Sequence, residues 1–183
     1  MRRSMLFLPG NSPNILLNAD FLGSDSIILD LEDAVSPAEK DSARILVRNA
    51  IRTLNYTREV IVRINPTDSP YHQDDLKQIV AVKPDMIMPT KVSCGDDVKG
   101  VADCLSKLEK ENGIEEGSIK LIPLIETALG VENAFEIASA DSRVQAIFLG
   151  GEDLTADLHC KRTKEGREIF YARSRMVNAA RAA

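Results

Sequence analysis

The chain has 183 residues, 44% hydrophobic and 28% charged, which is typical of a single globular domain and excludes a disordered or fibrous protein. Its formal net charge of −5 argues against nucleic acid as the main partner, because proteins that bind phosphate backbones are usually basic. The apolar residues 5–8 form too short a run for a secretory core or a membrane span, which predicts a cytoplasmic protein without a membrane partner.

Short apolar stretches recur along the chain, and each is followed by a turn and a helix-like segment. Their spacing is that of βα units, and their near-continuous apolar character is typical of strands buried on both faces of a parallel sheet. The predicted strands are residues 5–8, 26–31, 59–64, 85–89, 120–125 and 145–149. The predicted helices are residues 37–53, with Ser36 as N-cap, and residues 98–112, 128–140 and 166–183.

Successive βα units with right-handed crossovers predict an α/β fold, either an open doubly wound sheet or a (β/α)8 barrel. In both architectures ligands bind at the carboxyl ends of the strands, so the strand tails are expected to converge on one site. The tails are charged or glycine-rich: Pro9-Gly10-Asn11, Asp30-Leu31-Glu32-Asp33, Arg63-Ile64-Asn65-Pro66, Pro89-Thr90-Lys91, Glu126-Thr127 and Gly150-Gly151-Glu152-Asp153.

Glu126 and Asp153 follow successive predicted strands. If these strands are neighbours, their backbones lie about 4.8 Å apart and the two carboxylates can share an ion. Two carboxylates, completed by water and substrate oxygens, are the usual way in which Mg²⁺ is held. The alternative interpretation is an acidic helix N-cap, or a salt bridge to Lys91 or Arg63. Because Asp30, Glu32 and Asp33 are expected nearby, the interpretation as a metal site is favoured.

Arg63 ends an apolar strand, where a buried guanidinium needs an anionic partner. That partner is either a substrate carboxylate or a structural ion pair with Glu32 or Asp33, and both can hold at once. Lys91 fits either a Schiff-base role or a charge partner for the acids, with the second ranked higher. The two histidines, both predicted in loops, and the three cysteines show no catalytic or metal-binding spacing.

Taken together, several segments resemble the HpcH/HpaI aldolase and citrate-lyase-like family over the whole chain. The segments are RRSMLFLPGN, SIILDLEDAVSPAEKDSAR, VIVRIN, MPTK, LIPLIETALGVENAFEIA, IFLGGEDLTADL and EGREIFYARSRMVNAARAA. The resemblance implies a TIM-type barrel and a Mg²⁺-dependent carbon–carbon lyase. Such an enzyme cleaves a citryl thioester, carried on an acyl carrier protein or CoA, to oxaloacetate and an acetyl thioester.

The resemblance also implies roles for particular residues. It makes Glu126 and Asp153 the metal ligands, and it places Glu32 and Asp33 where they orient metal waters and Arg63. Asp30, Glu32 and a metal-bound water remain the candidate bases. The residues expected to bind substrate are Arg63, Glu126, Gly151, Pro9 and Lys91. The expected partners are the α subunit and the acyl carrier γ subunit of a citrate lyase complex, and further copies of the chain in a trimer or hexamer.

A TIM barrel usually needs about 250 residues, so one barrel domain over residues 1–183 is expected to lack its last two βα units. C-terminal truncation is favoured over strands supplied by partner chains. A further aspartate, which related lyases carry in the absent part, has no counterpart here. Two other functions stay open. One is a related malyl-CoA, citramalyl-CoA or β-methylmalyl-CoA lyase, and the other is a non-catalytic remnant that binds metal and a dicarboxylate.

Overall fold

The computed structural model describes residues 2–183, which form two compact units. The first unit contains residues 2–88 and 104–120, and the second contains residues 89–103 and 121–183. The single barrel domain over residues 1–183 therefore stays a prediction. Within residues 2–183, no helix is both long enough and apolar enough to cross a membrane.

Strands and helices alternate along the chain, as the apolar stretches predict. The strands are β1 Met5–Pro9, β2 Ser26–Asp30, β3 Glu59–Ile64, β4 Met86–Pro89, β5 Lys120–Leu121, β6 Leu124–Ile125 and β7 Phe148–Leu149. The helices are α1 Pro13–Asn18, α2 Lys40–Thr53, α3 His72–Val80, α4 Gly95–Glu111, α5 Ala128–Glu132, α6 Ala134–Ser139, α7 Gly151–Asp157 and α8 Phe170–Ala182. Short 3₁₀ turns cover Ala19–Leu22, Pro37–Glu39 and Arg167–Ile169.

The strand order distinguishes between the two predicted architectures. The first sheet has the order β1-β2-β3-β4-β5, so each strand lies beside its neighbour in the sequence. β1 pairs with β2 and β2 with β3 in parallel. A doubly wound sheet reverses its strand order at a switch point, whereas a barrel adds its strands one after another. The order is therefore that of the barrel.

The centre of the first unit is β2, whose five residues are all buried. Ile27, Ile28 and Leu29 are completely inaccessible to solvent, which is typical of a parallel strand buried on both faces of its sheet. α2 packs with a stripe at helical spacing, and the stripe includes two charged residues. Its buried members are Lys40, Ala43, Arg44, Val47 and Ala50.

The second unit contains the parallel pair β6 and β7, in which Ile125 is opposite Leu149. The residues that follow, Glu126 and Gly150, therefore leave the sheet side by side at its carboxyl end. Thr127 caps α5, and its hydroxyl accepts a hydrogen bond from the Gly130 N–H at 3.1 Å. Glu126 is thus not the N-cap that the alternative interpretation suggested.

Two predicted elements are interrupted in the structure. The strand predicted at 120–125 splits into β5 and β6, and between them lies Pro123, which has no N–H to donate to a ladder. The helix predicted at 128–140 splits at Asn133, whose ψ of 10° leaves the helical range. The Asn133 side chain instead donates to the Ser93 carbonyl at 2.9 Å.

One local prediction holds in part and another is wrong. Ser36 is the N-cap residue, with Pro37 next, but of the 3₁₀ turn that precedes α2, and its hydroxyl donates to the Glu39 carboxylate at 2.9 Å instead of making a capping bond. His72 was expected in a loop, yet it is the first residue of α3 and is buried. Its Nδ1 lies 2.9 Å from the Asn65 carbonyl oxygen, which explains how a polar ring is accommodated there.

Candidate active site

The first group of functional side chains is an arginine cluster, defined as Arg63, Asp30, Glu32 and Asp33. Arg63 donates from Nε to Asp30 Oδ1 at 2.7 Å and from Nη2 to Asp30 Oδ2 at 2.5 Å. Its Nη1 lies 3.1 Å from Glu32 Oε2 and 3.9 Å from Asp33 Oδ2. The sequence predicted pairing with Glu32 or Asp33. The bidentate partner, however, is Asp30, which is opposite Arg63 in the β2–β3 register.

The Asp30 carboxylate also stabilises the turn that follows β2. Besides Arg63, its carboxylate accepts hydrogen bonds from the backbone N–H groups of Glu32, at 2.8 Å, and Ala34, at 3.1 Å. It is 1% exposed, so all of these partners are needed to offset the loss of water. Asp30 therefore stabilises the strand end and the arginine, and its lone pairs are poorly placed to accept a proton from a substrate.

Burial is opposed by neighbouring charges to different degrees at Arg63 and Glu32, and this determines the pKa of each. For Arg63, burial opposes the charged form, but the hydrogen bond to Asp30 and the charges of Asp30, Glu32 and Asp33 outweigh it and raise its pKa. For Glu32, burial is the largest effect, and together with the charge of Asp33 it raises the pKa despite the opposing charge of Arg63. Burial thus favours the protonated form of Glu32.

Arg63 keeps binding capacity beyond this cluster. A guanidinium has five N–H donors, and within residues 2–183 the acids engage three of them, leaving one on each terminal nitrogen. The side chain is 11% exposed, and the Phe7 ring centroid lies 5.0 Å from Cζ. Arg63 is therefore fixed in orientation and still able to bind a carboxylate.

Buried residues support the backbone of the acidic turn, defined as residues 30–34. Lys40 donates to the carbonyl oxygens of Leu31, at 2.8 Å, and Glu32, at 2.7 Å. Asn65 Nδ2 also donates to the Leu31 carbonyl at 3.0 Å, and it reaches Asp75 Oδ2 at 2.6 Å. The backbone of the turn is consequently held both from helix α2 and from the residue that follows strand β3.

The second group is a glutamate cluster, defined as Glu126, Lys91, Gly150 and Asp153. Glu126 is 3% exposed, and its Oε2 accepts a hydrogen bond from the Lys91 backbone N–H at 3.0 Å. Gly150 lies directly against this carboxyl group. A Cβ added at Gly150 would be 2.6 Å from Glu126 Cγ and 2.8 Å from Oε1. No residue other than glycine fits there without displacing the Glu126 side chain.

Asp153 lies one helical turn beyond Gly150. Gly150 is the N-cap of α7, and Asp153 is in its first turn, where a negative charge is favourable. Asp153 is therefore not the N-cap that the alternative interpretation suggested, although its charge suits the first turn of the helix. Asp153 is half-buried, and within residues 2–183 its carboxylate has no hydrogen-bond or ion-pair partner. It remains available as a ligand.

Lys91 contributes a backbone hydrogen bond to the cluster. Its φ of 55° lies in the left-handed region, which residues other than glycine rarely adopt. When they do, the position is often part of a functional site. This conformation directs the Lys91 N–H toward Glu126, while the side chain is exposed. Of the other predicted substrate residues, Pro9 ends β1 opposite Asp30, and Gly151 is the first residue of α7.

The glutamate cluster suits a hard divalent cation. It offers two carboxylates, and no group of three or more His, Cys, Asp or Glu residues within 2–183 could hold a metal. Mg²⁺ commonly binds one or two carboxylates and fills its remaining positions with water and substrate oxygens. Glu126 and Asp153 therefore fit Mg²⁺ better than zinc, which prefers histidine and cysteine ligands.

Sequence reasoning missed the supporting residues. Lys40 and Arg44 occupy positions i and i+4 on the buried stripe of α2, and this spacing was the available signal for their burial. Asn65 immediately follows β3, and the sequence placed it in a polar strand tail without indicating this supporting role. No feature of the sequence indicates the left-handed backbone of Lys91.

Comparisons with known proteins identify the family. The family model described as HpcH/HpaI aldolase/citrate lyase matches residues 3–183. The citrate lyase subunit beta of Leuconostoc mesenteroides subsp. cremoris is 44% identical over 184 residues, covering 100% of this chain. The L-malyl-CoA/beta-methylmalyl-CoA lyase of Cereibacter sphaeroides is 34% identical over 175 residues, covering 92% of this chain and 55% of that protein. The chain spans 61% of the length of the Leuconostoc protein.

Solved structures agree with the sequence comparisons. The citrate lyase beta subunit of M. tuberculosis complexed with oxaloacetate and magnesium has a TM-score of 0.78 and 31% sequence identity. The match covers 97% of this chain and 73% of that one. With the sequential strand order, this makes the fold an α/β barrel of the TIM type, of which about six βα units are present. The chain therefore belongs to the HpcH/HpaI aldolase/citrate lyase family.

Proposed function

We propose that the chain acts as a Mg²⁺-dependent carbon–carbon lyase that cleaves a citryl thioester to oxaloacetate and an acetyl thioester. The observation that carries the proposal is the glutamate cluster. A buried glutamate is held against a glycine that begins a helix, and the first turn of that helix carries an aspartate whose carboxylate has no partner within residues 2–183. The similarity to citrate lyase beta subunits supports citryl as the acyl group. Oxaloacetate and magnesium in the M. tuberculosis relative support both the product and the metal.

Glu126 and Asp153 would hold the magnesium ion. Bound Mg²⁺ supplies Lewis-acid polarisation of substrate oxygens. Burial of Glu126 and its hydrogen bond from Lys91 fix one ligand in advance, so little reorganisation is needed on binding.

Arg63 would bind a carboxylate of the citryl group. Asp30 fixes the plane of the guanidinium, and two N–H donors remain beyond those that the acids engage. Orientation of this kind lowers the entropic cost of reaching the reactive geometry. Pro9 and Gly151 would contribute backbone surface at the carboxyl ends of their strands.

Glu32 is the base that we favour. Its pKa is raised, chiefly by burial, and Asp30, the other candidate, is already engaged in hydrogen bonds with Arg63 and two amides. Glu32 would take the proton of the citryl hydroxyl as the C–C bond breaks. The bonding pair then remains on the methylene carbon as the enolate of the acetyl thioester, and a proton returned to that carbon completes the acetyl product.

The partners follow from the same relatives. We propose that the thioester is presented on an acyl carrier γ subunit or on CoA, and that an α subunit completes a citrate lyase complex. Further copies of the chain, as a trimer or hexamer, belong to the same proposal. The curated citrate lyase subunit beta supports the existence of such companion subunits.

Calorimetry with Mg²⁺ and oxaloacetate tests the metal assignment. Metal-dependent binding of oxaloacetate is expected for the wild-type chain and should be lost in Glu126→Gln and Asp153→Asn. Glu152→Gln is the matched control, because Glu152 is the neighbouring residue of α7 with a side chain 82% exposed. Undiminished binding in either of the first two folded variants would refute the metal site.

Turnover assays then separate the candidate reactions. Release of oxaloacetate from a citryl thioester supports the proposed activity. Preferential cleavage of a malyl thioester would point to the related malyl-CoA lyases, which the similarity to the Cereibacter sphaeroides enzyme keeps as the second candidate. Binding of Mg²⁺ and oxaloacetate without any cleavage would support only the non-catalytic binding function.

A further inference from the structure

The acidic turn carries its functional side chains on a backbone that is bound by a buried ammonium group. Lys40 is 7% exposed, and its Nζ donates to two consecutive carbonyl oxygens, those of Leu31 and Glu32. The Tyr71 ring centroid lies 5.8 Å from the same Nζ and covers the ammonium from another direction. The ammonium therefore has a defined position relative to the turn.

A second donor acts on the same backbone. Asn65 Nδ2 donates to the Leu31 carbonyl, and the Asn65 amide is itself held by Asp75 through both Nδ2 and the backbone N–H. Arg44 Nε donates to Asp75 Oδ1 at 2.8 Å, which keeps that carboxylate in place. The Leu31 carbonyl thus receives one charged and one neutral donor.

Burying a lysine in this way is costly for folding. Burial lowers the pKa of Lys40, while the charges of Glu32, Asp30, Asp75 and Asp33 oppose that decrease. An apolar side chain could fill the same volume without the desolvation cost. The presence of a charged lysine at this position is explained if its two carbonyl contacts fix the backbone geometry of the turn.

We propose that Lys40 is a positioning residue for Glu32, fixing the backbone of residues 31 and 32 so that the Glu32 carboxylate stays beside Arg63. The proposal rests on the proposed function of Glu32 as base. Glu32 Oε2 also accepts the Asp33 N–H at 3.0 Å, so a shift of the turn would move the carboxylate and its partner together. Asn65 assists through the shared carbonyl.

Amide hydrogen exchange tests the positioning without requiring activity. In Lys40→Met, which keeps the length of the side chain and removes its charge, the amides of Glu32, Asp33 and Ala34 should exchange at least about tenfold faster. Amides in the middle of β3 should be unchanged. Lys77→Met is the matched control, because the Lys77 side chain is 61% exposed on α3.

Two exchange results would overturn the proposal. One is no acceleration in the acidic turn, and the other is acceleration of all amides in the same proportion, which indicates only a loss of global stability. If Lys40→Met does not fold, Lys40→Gln replaces it. Its neutral amide is shorter, so the same local acceleration is expected, again confined to the turn.

Kinetics test whether the positioning acts through Glu32. Lys40→Met should lower kcat for citryl thioester cleavage by about tenfold to a hundredfold, because a displacement of about 1 Å can cost that much. KM should change less than twofold, since Arg63 remains paired with Asp30. In a Glu32→Gln background the same substitution should add less than twofold.

The outcomes separate the two proposals. An equal effect of Lys40→Met on kcat in both backgrounds would overturn positioning through Glu32, even with a functional enzyme. Unchanged kcat in Glu32→Gln, or absence of cleavage by the wild-type chain, would overturn the proposed role of Glu32. The exchange result would then decide the positioning of the turn by itself.

Discussion

Gly150 provides a sharp test of the metal site, because a single methyl group added there would collide with a proposed ligand. Its φ of −85° is accessible to alanine, so the effect of Gly150→Ala is steric and not a backbone effect. The new Cβ would lie 2.6 Å from Glu126 Cγ, whereas carbon atoms in contact prefer separations of about 3.5–4.0 Å. Either Glu126 or α7 must move by about 1 Å.

The expected magnitudes follow from this displacement. Overpacking of a well-filled site costs about 1–3 kcal/mol, so the free energy of unfolding should fall by that amount. Mg²⁺ requires oxygen ligands at about 2.0–2.1 Å in near-octahedral geometry, which a carboxylate displaced by 1 Å no longer provides. The Kd for Mg²⁺ should therefore rise at least about tenfold, or about 1.4 kcal/mol.

The assay is magnesium calorimetry on the folded variant, with denaturation measured in parallel. Gly151→Ala is the matched control, since the atoms nearest to its added Cβ are at 3.6 Å, an ordinary contact distance. Gly100→Ala should stabilise the chain by about 0.5–1 kcal/mol, because Gly100 lies within α4 and no atom is within 4 Å of the added Cβ. A folded Gly150→Ala variant that binds Mg²⁺ as tightly as the wild type would refute the assignment of Glu126 as a ligand.

Three further substitutions test other parts of the site. Asn65→Asp places a second carboxylate against buried Asp75 and should lower the free energy of unfolding by about 3–5 kcal/mol, seen as a Tm lower by about 10 °C. The control Asn49→Asp, on the exposed face of α2, should change Tm by less than about 2 °C. Lys91→Gly keeps the backbone N–H that bonds Glu126, and glycine adopts the left-handed conformation freely, so magnesium binding should be retained. Loss of binding in calorimetry would show that the side chain is needed. Glu32 has a raised pKa, so the folded chain holds its proton where the unfolded chain has lost it, and stability declines as pH rises from about 4.5 through the raised value. Urea denaturation of wild type and Glu32→Gln should thus show a difference that shifts in favour of the variant as pH rises, and a pH-independent difference would contradict the raised pKa.

The fold was predictable because its strands are buried on both faces. A continuous apolar run such as Ile27-Ile28-Leu29 has few alternatives to a central parallel strand, and its spacing from the next run indicates a βα unit. The exact ends of elements were less predictable. Pro123 breaks a predicted strand by removing one N–H, and Asn133 breaks a predicted helix because its side chain binds Ser93. These contacts depend on residues distant in sequence.

The candidate site was predictable in its members but not in their pairing. The charged strand tails indicated Arg63, Glu32 and Asp33 as neighbours, and the structure places them together. The choice of Asp30 as the bidentate partner depends on the β2–β3 register, which a sequence pattern does not reveal. The roles of Lys40 and Lys91 depend on hydrogen bonds between side chain and backbone, for which residue type gives little signal.

The sequential order of the strands has a consequence for how the chain folds. Each parallel pair joins segments separated by only a few tens of residues, so every step closes a loop of similar and modest entropic cost. Folding can begin with β2, α2 and β3, which contain the most deeply buried strand, and then add neighbouring βα units on either side. A parallel sheet usually folds slowly because its contacts are distant in sequence. Here adjacency in the chain keeps that separation near the minimum that parallel pairing allows.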